Sequence, residues 1–118
     1  MSEKTFELEM VTPRGIKFDG PVSMVQLPGV MGQMGILAGH AKMLSILQPG
    51  LSCYESEGKR VYCVTGSGLV RVNGAKVSVL VETVEYPGET PVTTGIEVVT
   101  RESILLKNAR AKLASMSK

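Results

Sequence analysis

Glycine and proline interrupt the first 85 residues at spacings near ten, and the segments between them read as short strands. Phe6, Leu8 and Met10 alternate with Glu7 and Glu9, the period-two pattern of a half-buried strand. Pro13 to Gly15 and Asp19 to Pro21 are turn signals on either side of an apolar run at 16–18. Residues 22–27 read as the next strand, stopped by Pro28-Gly29, and residues 43–47 as another, ended by Pro49-Gly50. Residues 51–54 and 60–65 make a hairpin around 55–59, where Gly58 can take a positive φ. Asn73-Gly74 is a type I′ hairpin pair between 69–72 and 75–81. Counting outward from it sets Val72 opposite Ala75, Val70 opposite Val77 and Arg71 opposite Lys76; the two like charges need a face open to water. Such a pattern specifies a mainly β fold, a sandwich or flattened barrel.

Beyond residue 86 the pattern changes. Pro87, Gly88, Pro91 and three threonines form a linker that neither a helix nor a central strand tolerates. One short helix follows, with Glu102, Leu106, Ala109, Leu113 and Met116 along one stripe. Lys107, Arg110 and Lys118 lie off the stripe, where basic residues near the C-terminus suit the helix dipole. Thr94 with Glu97 is a candidate capping box and Thr100 a second candidate cap. The expected organisation is a β-sandwich over 1–86, a linker over 87–95 and a helical segment over 96–118.

At 118 residues the chain is long enough for one domain with a core that needs no metal or disulfide. Its formal charge of +2 hides an asymmetry, because residues 100–118 carry five Lys or Arg against one Glu. No aromatic residue interleaves these charges, so a solvated helix face is expected, not a nucleic-acid surface. The charged, alternating start resembles neither a signal nor a transit peptide, and places the protein in the cytosol or its plastid equivalent. Cys53 and Cys63 form no zinc motif; they could face each other across the hairpin, as buried thiols in a reducing compartment.

No catalytic constellation emerges. Gly66-Ser67-Gly68 has neither the spacing nor the lysine of a phosphate loop, and does not meet the nucleophile-elbow pattern. His40 is the only histidine, too few ligands surround it for a metal, and the pairs Glu7/Glu9 and Glu55/Glu57 fall on solvated strands and turns. What stands out is the stretch between Asp19 and Lys42, twenty-two residues in which His40 is the sole titratable side chain. Five glycines and two prolines exclude a membrane helix, and Val, Met, Ile and Leu exclude a polar linker. An apolar, glycine-punctuated loop serves packing or contact with a partner.

Residues 32–41, Gly-Gln-Met-Gly-Ile-Leu-Ala-Gly-His-Ala, resemble the Gly-x-Leu-Gly-Ile-x-Pro-Gly-His-Ala signature of the F-type ATP synthase epsilon subunit, which mitochondria call delta. Val11-Thr12-Pro13-x-Gly15 with Phe18-x-Gly20, Leu47-x-Pro49-Gly50 and residues 65–72 resemble further motifs of that family, in order, over residues 5–85. The resemblance implies an N-terminal β-sandwich of about ten strands followed by helix, here a short C-terminal one. It implies a non-catalytic rotor subunit that binds gamma and the polar loops of the c-ring, coupling proton translocation to ATP synthesis. By that resemblance Met31 and Gln33 face the c-ring, Thr12 and His40 face gamma, and the C-terminal helix is the part that could reach the catalytic alpha and beta subunits. No cofactor, metal or nucleic acid is implied. Membrane association comes only through the complex, at the cytoplasmic face of a bacterial inner membrane or the thylakoid equivalent. Gln33 stands where the family often has an acid, and Ala38 and Lys42 where it has prolines, which softens the loop. Against the family's nucleotide motif Arg101 matches, but Val98 replaces the aspartate and Glu102 the alanine, so no ATP site is expected. With no second helix, strong autoinhibition is not expected either. The alternative is a free-standing β-sandwich module that binds a protein or a ligand.

Overall fold

The computed structural model describes residues 4–88 and 101–116. Ten strands precede one helix: β1 Phe6–Thr12, β2 Gly15–Val22, β3 Met24–Gly29, β4 Gly32–Leu37, β5 Met43–Leu47, β6 Gly50–Ser56, β7 Lys59–Thr65, β8 Gly68–Asn73, β9 Lys76–Val81, β10 Val84–Glu85 and α1 Arg101–Met116. Hydrogen bonding runs in the order β10-β7-β6-β3-β5-β8-β9-β1-β2, with β4 on the side of β3. The passage from β3 to β5 rests on the single pair Gly29↔Leu47, so the path folds there into two leaves. One leaf is β10-β7-β6-β3-β4 and the other β5-β8-β9-β1-β2. All pairings are antiparallel except that of β1 with β9, which sets Leu8 beside Val77 and Met10 beside Val79 in parallel.

The core lies between the leaves. Val25, Leu27, Ile36, Tyr54 and Cys63 from the first leaf meet Leu8, Met10, Leu47, Val70, Val72, Val77 and Val79 from the second. In β1 burial alternates from Phe6 to Thr12, as the sequence pattern requires. Phe18 tilts against Tyr54 with ring centroids 4.3 Å apart, joining β2 to β6 across the interior. The buried hydroxyls of Ser52 and Thr65 satisfy each other at 2.7 Å.

The structure corrects four expectations. The glycine-rich stretch is not a loop throughout, because residues 32–37 pair with β3 along its whole length as β4. The hairpin at Asn73 is shifted: Asn73 pairs with Lys76, so Val70 meets Val79, Val72 meets Val77, and Arg71 meets Ser78. Gly74 takes φ +64 at the first central position while Ala75 stays negative, the type II′ arrangement. The type I′ turn instead joins β6 to β7, where Glu57 and Gly58 both have positive φ (53° and 76°). Cys53 and Cys63 do not face each other, since Cys53 pairs with Tyr62 and Cys63 with Ser52, on opposite faces of the leaf. Both are free and buried. Finally, Arg110 does not serve the helix terminus. Its guanidinium donates to both carboxylate oxygens of Glu85, at 2.8 and 2.7 Å.

That ion pair accompanies an apolar seam. Ala109 and Leu113, with Leu106 beside them, cover Val64, Leu51 and Tyr62 on the outer face of β6 and β7. The expected stripe is therefore buried in its middle, while Met116 stays 45% exposed. The candidate caps Thr94, Glu97 and Thr100, and most of the expected linker, lie outside the described residues.

Candidate protein-docking surface

The β3–β4 hairpin ends in a two-residue turn at Val30 and Met31, held to the second leaf by the Val30 N–H, which donates to the Ile46 carbonyl at 3.1 Å. Met31 is 95% exposed, so packing among the described residues does not call for a large apolar side chain there. Gln33 is exposed too, on the outer face beside its pairing partner Pro28. Gly29 and Gly32 are required by the hairpin itself. A Cβ at Gly29 would meet the Gly32 carbonyl at 2.8 Å, and Gly32 sits at φ +128. Gly35 has no such reason, since a Cβ there would meet nothing within 4 Å.

Thr12 is buried, and its hydroxyl works inside the fold. It donates to the Gly15 carbonyl at 3.3 Å and accepts from the Arg14 N–H at 3.1 Å, which fixes the β1–β2 turn. His40 lies in the β4–β5 connection, where its Nδ1 is 2.7 Å from the Ala41 carbonyl. A carbonyl only accepts, so Nδ1 carries the proton in this contact. The strand pairings run in a line through Gly29, Leu47, Gly68 and Val81 to the end of β1, which puts Thr12 on the row of the β3–β4 turn. His40 is three residues before Met43, whose partner Val72 adjoins the opposite turn at 73–76. The structure thus brings Thr12 into line with Met31 and Gln33, and sets His40 apart.

What residue-by-residue reading missed is the outer face of the second leaf. Val30 bonds Ile46, Ile46 pairs with Leu69, Leu69 with Leu80, Leu80 with Val11, and Val11 with Ile16. Directly paired residues share a face. Six apolar side chains therefore cross the leaf in one row, with Ile46 63%, Leu80 45% and Ile16 60% exposed. The next row, Leu44, Arg71, Ser78, Glu9 and Asp19, is mixed in charge, and Lys76 lies 3.7 Å from Glu9. An apolar band bordered by charges is how contact surfaces are built. The signal was present in the sequence as runs without alternation, Met10-Val11, Leu69-Val70 and Val79-Leu80-Val81, whose strands must be apolar on both faces.

Two open grooves adjoin this band, one along Val11, Thr12, Leu80 and Glu82 and another along Val30, Ile46, Gln48 and Leu105. Among the described residues no group of three His, Cys, Asp or Glu side chains is placed to hold a metal ion. No described helix is long and apolar enough to cross a membrane.

Comparison with known proteins accounts for this architecture. Residues 5–87 match the family model described as ATP synthase, Delta/Epsilon chain, beta-sandwich domain. The chain is 36% identical over 78 residues to the ATP synthase epsilon chain of Rhodopseudomonas palustris, covering 66% of this chain and 58% of that one. It is 37% identical over 89 residues to the epsilon chain of Pelotomaculum thermopropionicum, covering 75% and 66%. The chain thus spans about three-fifths of the length of these relatives. In fold it is similar to a chain in the mitochondrial ATP synthase of Euglena gracilis (OSCP/F1/c-ring), with TM-score 0.69, 22% identity and coverage of 99% and 70%. A chain in the central stalk/c-ring structure of the Tetrahymena thermophila enzyme gives TM-score 0.59 at 17% identity, with coverage of 96% and 94%. The match over most of its length establishes that the chain belongs to the ATP synthase delta/epsilon family and carries that family's β-sandwich domain.

Proposed function

We propose that this chain is a non-catalytic central-stalk subunit of an F-type ATP synthase. It binds gamma through the outer face of the second leaf and meets the polar loops of the c-ring through the β3–β4 turn, so that proton translocation drives ATP synthesis. The observation that carries this reading is the apolar row from Val30 to Ile16, continuous across five strands and bordered by charge. A subunit that transmits torque needs a broad, rigid contact, and a sheet face supplies one without side-chain rearrangement.

In this reading Met31 and Gln33 stand at the turn nearest the c-ring. Gln33 offers hydrogen bonds in place of a charge. Thr12 acts at the gamma interface indirectly, by fixing the turn that flanks the apolar row. His40 contacts gamma at the far end of that leaf. The division into a sandwich over 1–86, a linker over 87–95 and a helical segment over 96–118 belongs to the same proposal, as does a peripheral position on the cytoplasmic or thylakoid-equivalent face of the membrane. With α1 lying on the β6–β7 face, reach toward alpha and beta subunits would require it to leave Val64 and Leu51.

The test is binding of the intact chain to isolated gamma. Leu80→Asp places a charge in the centre of the row at a half-exposed site, where the fold tolerates it. Gamma affinity should fall by roughly 30-fold or more, about 2 kcal/mol, the cost of losing a central interface anchor. Unchanged affinity in a folded Leu80→Asp protein would remove the row from the gamma interface.

A further inference from the structure

The seam that docks α1 uses Leu106, Ala109 and Leu113. Leu105, about 100° round the helix from Leu106, is half-buried and lies instead along a groove with Val30, Ile46 and the Gln48-Pro49 turn. Val30 and Ile46 also begin the apolar row, at 50% and 63% exposed. One side chain of the helix thus stands at the end of a row otherwise built from the sandwich. The groove also includes Ser67 and Gly68. A Cβ on Gly68 would collide with the Leu80 carbonyl, so β8 is pressed flat on β9 there. The same two residues line the groove along Val11 and Thr12, and the two grooves meet at them, beside the apolar row.

Leu105 holds its place only while α1 is docked. Ala109, one turn on, is buried against Val64, and Arg110 is tied to Glu85. Docking does not call for leucine at 105, because the seam is made by other residues. A leucine that faces an open groove adds to the apolar surface in contact with water, and contiguous surface of that kind marks a contact site.

We infer that docked α1 is part of the gamma-binding surface: Leu105 walls a groove that receives an apolar side chain of gamma, and gamma in turn holds the helix down. This rests on the reading of the apolar row as the gamma interface, with which the groove is continuous. The chemistry of the groove selects that occupant over the polar loops of the c-ring. Among the described residues no charged side chain lines it, and a polar loop would leave its groups against Val30, Ile46 and Leu105. Coupling between two equilibria is reciprocal, so whatever affinity gamma gains from the docked helix, the helix gains in docking from gamma. An α1 that reached for another subunit would have to give up this contact as well as its seam.

The experiment combines titration of the full chain with isolated gamma and amide hydrogen exchange, free and in the complex. Leu105→Ala removes the wall at a half-buried site, and gamma affinity should fall roughly 5- to 20-fold. Ala109→Asp drives a charge into the seam and releases α1. It should weaken binding by a similar factor, with little further loss when the two substitutions are combined. The α1 amides of the unsubstituted chain should exchange more slowly in the complex, by about the factor that Ala109→Asp costs. Protected β1 and β9 amides check that each sandwich stays folded; should Ala109→Asp fail that check, Leu105→Ala and the exchange comparison decide alone. If Leu80→Asp abolishes binding while Leu105→Ala binds normally and α1 exchange ignores gamma, the inference is overturned and the reading of the row stands. A Leu105→Ala loss that persists in full in Ala109→Asp would mean that gamma takes Leu105 from a released helix, which also overturns it. Unchanged binding in Leu80→Asp removes the row, and the inference with it.

Discussion

Replacing Arg110 by alanine should loosen the helix without disturbing the sandwich. Arg110 makes two charge-assisted hydrogen bonds to Glu85, whose side chain is 12% exposed against 35% for Arg110. Bonds of this type cost about 1.5–3 kcal/mol each to remove from a buried site. Water reaches a third of the arginine, which reduces the sum to about 1–2 kcal/mol. The apolar seam of Leu106, Ala109 and Leu113 against Val64, Leu51 and Tyr62 remains, and at about 25 cal/mol per Å2 it contributes roughly 3–5 kcal/mol. The helix should therefore stay docked while its open population rises roughly 5- to 30-fold. Native-state amide exchange reads this directly, as faster exchange in α1 with the amides of Leu8, Met10 and Val79 unchanged. A double-mutant cycle with Glu85→Gln should recover most of the loss as coupling. If α1 protection is unchanged, the ion pair contributes nothing. If β1 and β9 lose protection equally, helix and sandwich open as one unit. Deleting the helix is a poorer test, because it uncovers Val64 and Leu51 at once.

Thr12→Val should cost about 1 kcal/mol of stability through the β1–β2 turn, and weaken gamma binding less than Leu80→Asp does; a thermal melt and a binding titration together separate the two effects. Burial pushes the Cys63 thiol up to about 12 from its ordinary 9.0. The unfolded chain therefore loses this proton first, and stability, complete below pH 9, should decline as pH rises from 9 towards 12. Denaturant titrations across that range should show a shallower decline in Cys63→Ala. Cys53 and Tyr54, both also raised mainly by burial, contribute in the same direction. Gln33→Glu should strengthen binding to a c-ring with basic loops and make it salt-sensitive; affinity that does not respond to either change would take residue 33 out of that contact.

The strands were legible wherever turn chemistry and alternation agreed, as in β1 and in β6 with β7. β4 was not, because glycine at 32 and 35 weakens the local preference, and pairing with β3 makes the strand. The Asn73-Gly74 pair misled for a specific reason. Glycine supports both primed turn types, and the chain uses it at the first central position, which moves every partner in β9 by two residues while leaving the faces unchanged. The helix stripe was visible, but not that Arg110 would find Glu85 across 25 residues of sequence. The apolar row was hidden most deeply. Its members come from six different elements or turns, and only the registers bring Val30, Ile46, Leu69, Leu80, Val11 and Ile16 together.

The parallel pairing of β1 with β9 has a consequence for synthesis on the ribosome. Leu8 and Met10 emerge early, yet the strand that shelters them, with Val77 and Val79, is translated about 70 residues later. At roughly 5–20 residues per second, the first strand waits some seconds with only the β2 hairpin beside it. β9 must then dock on the open edge of β1, whose other edge β2 already covers. One edge of the oldest strand is thus covered only late, and the nascent polypeptide is most dependent on chaperone protection at the end that left the tunnel first.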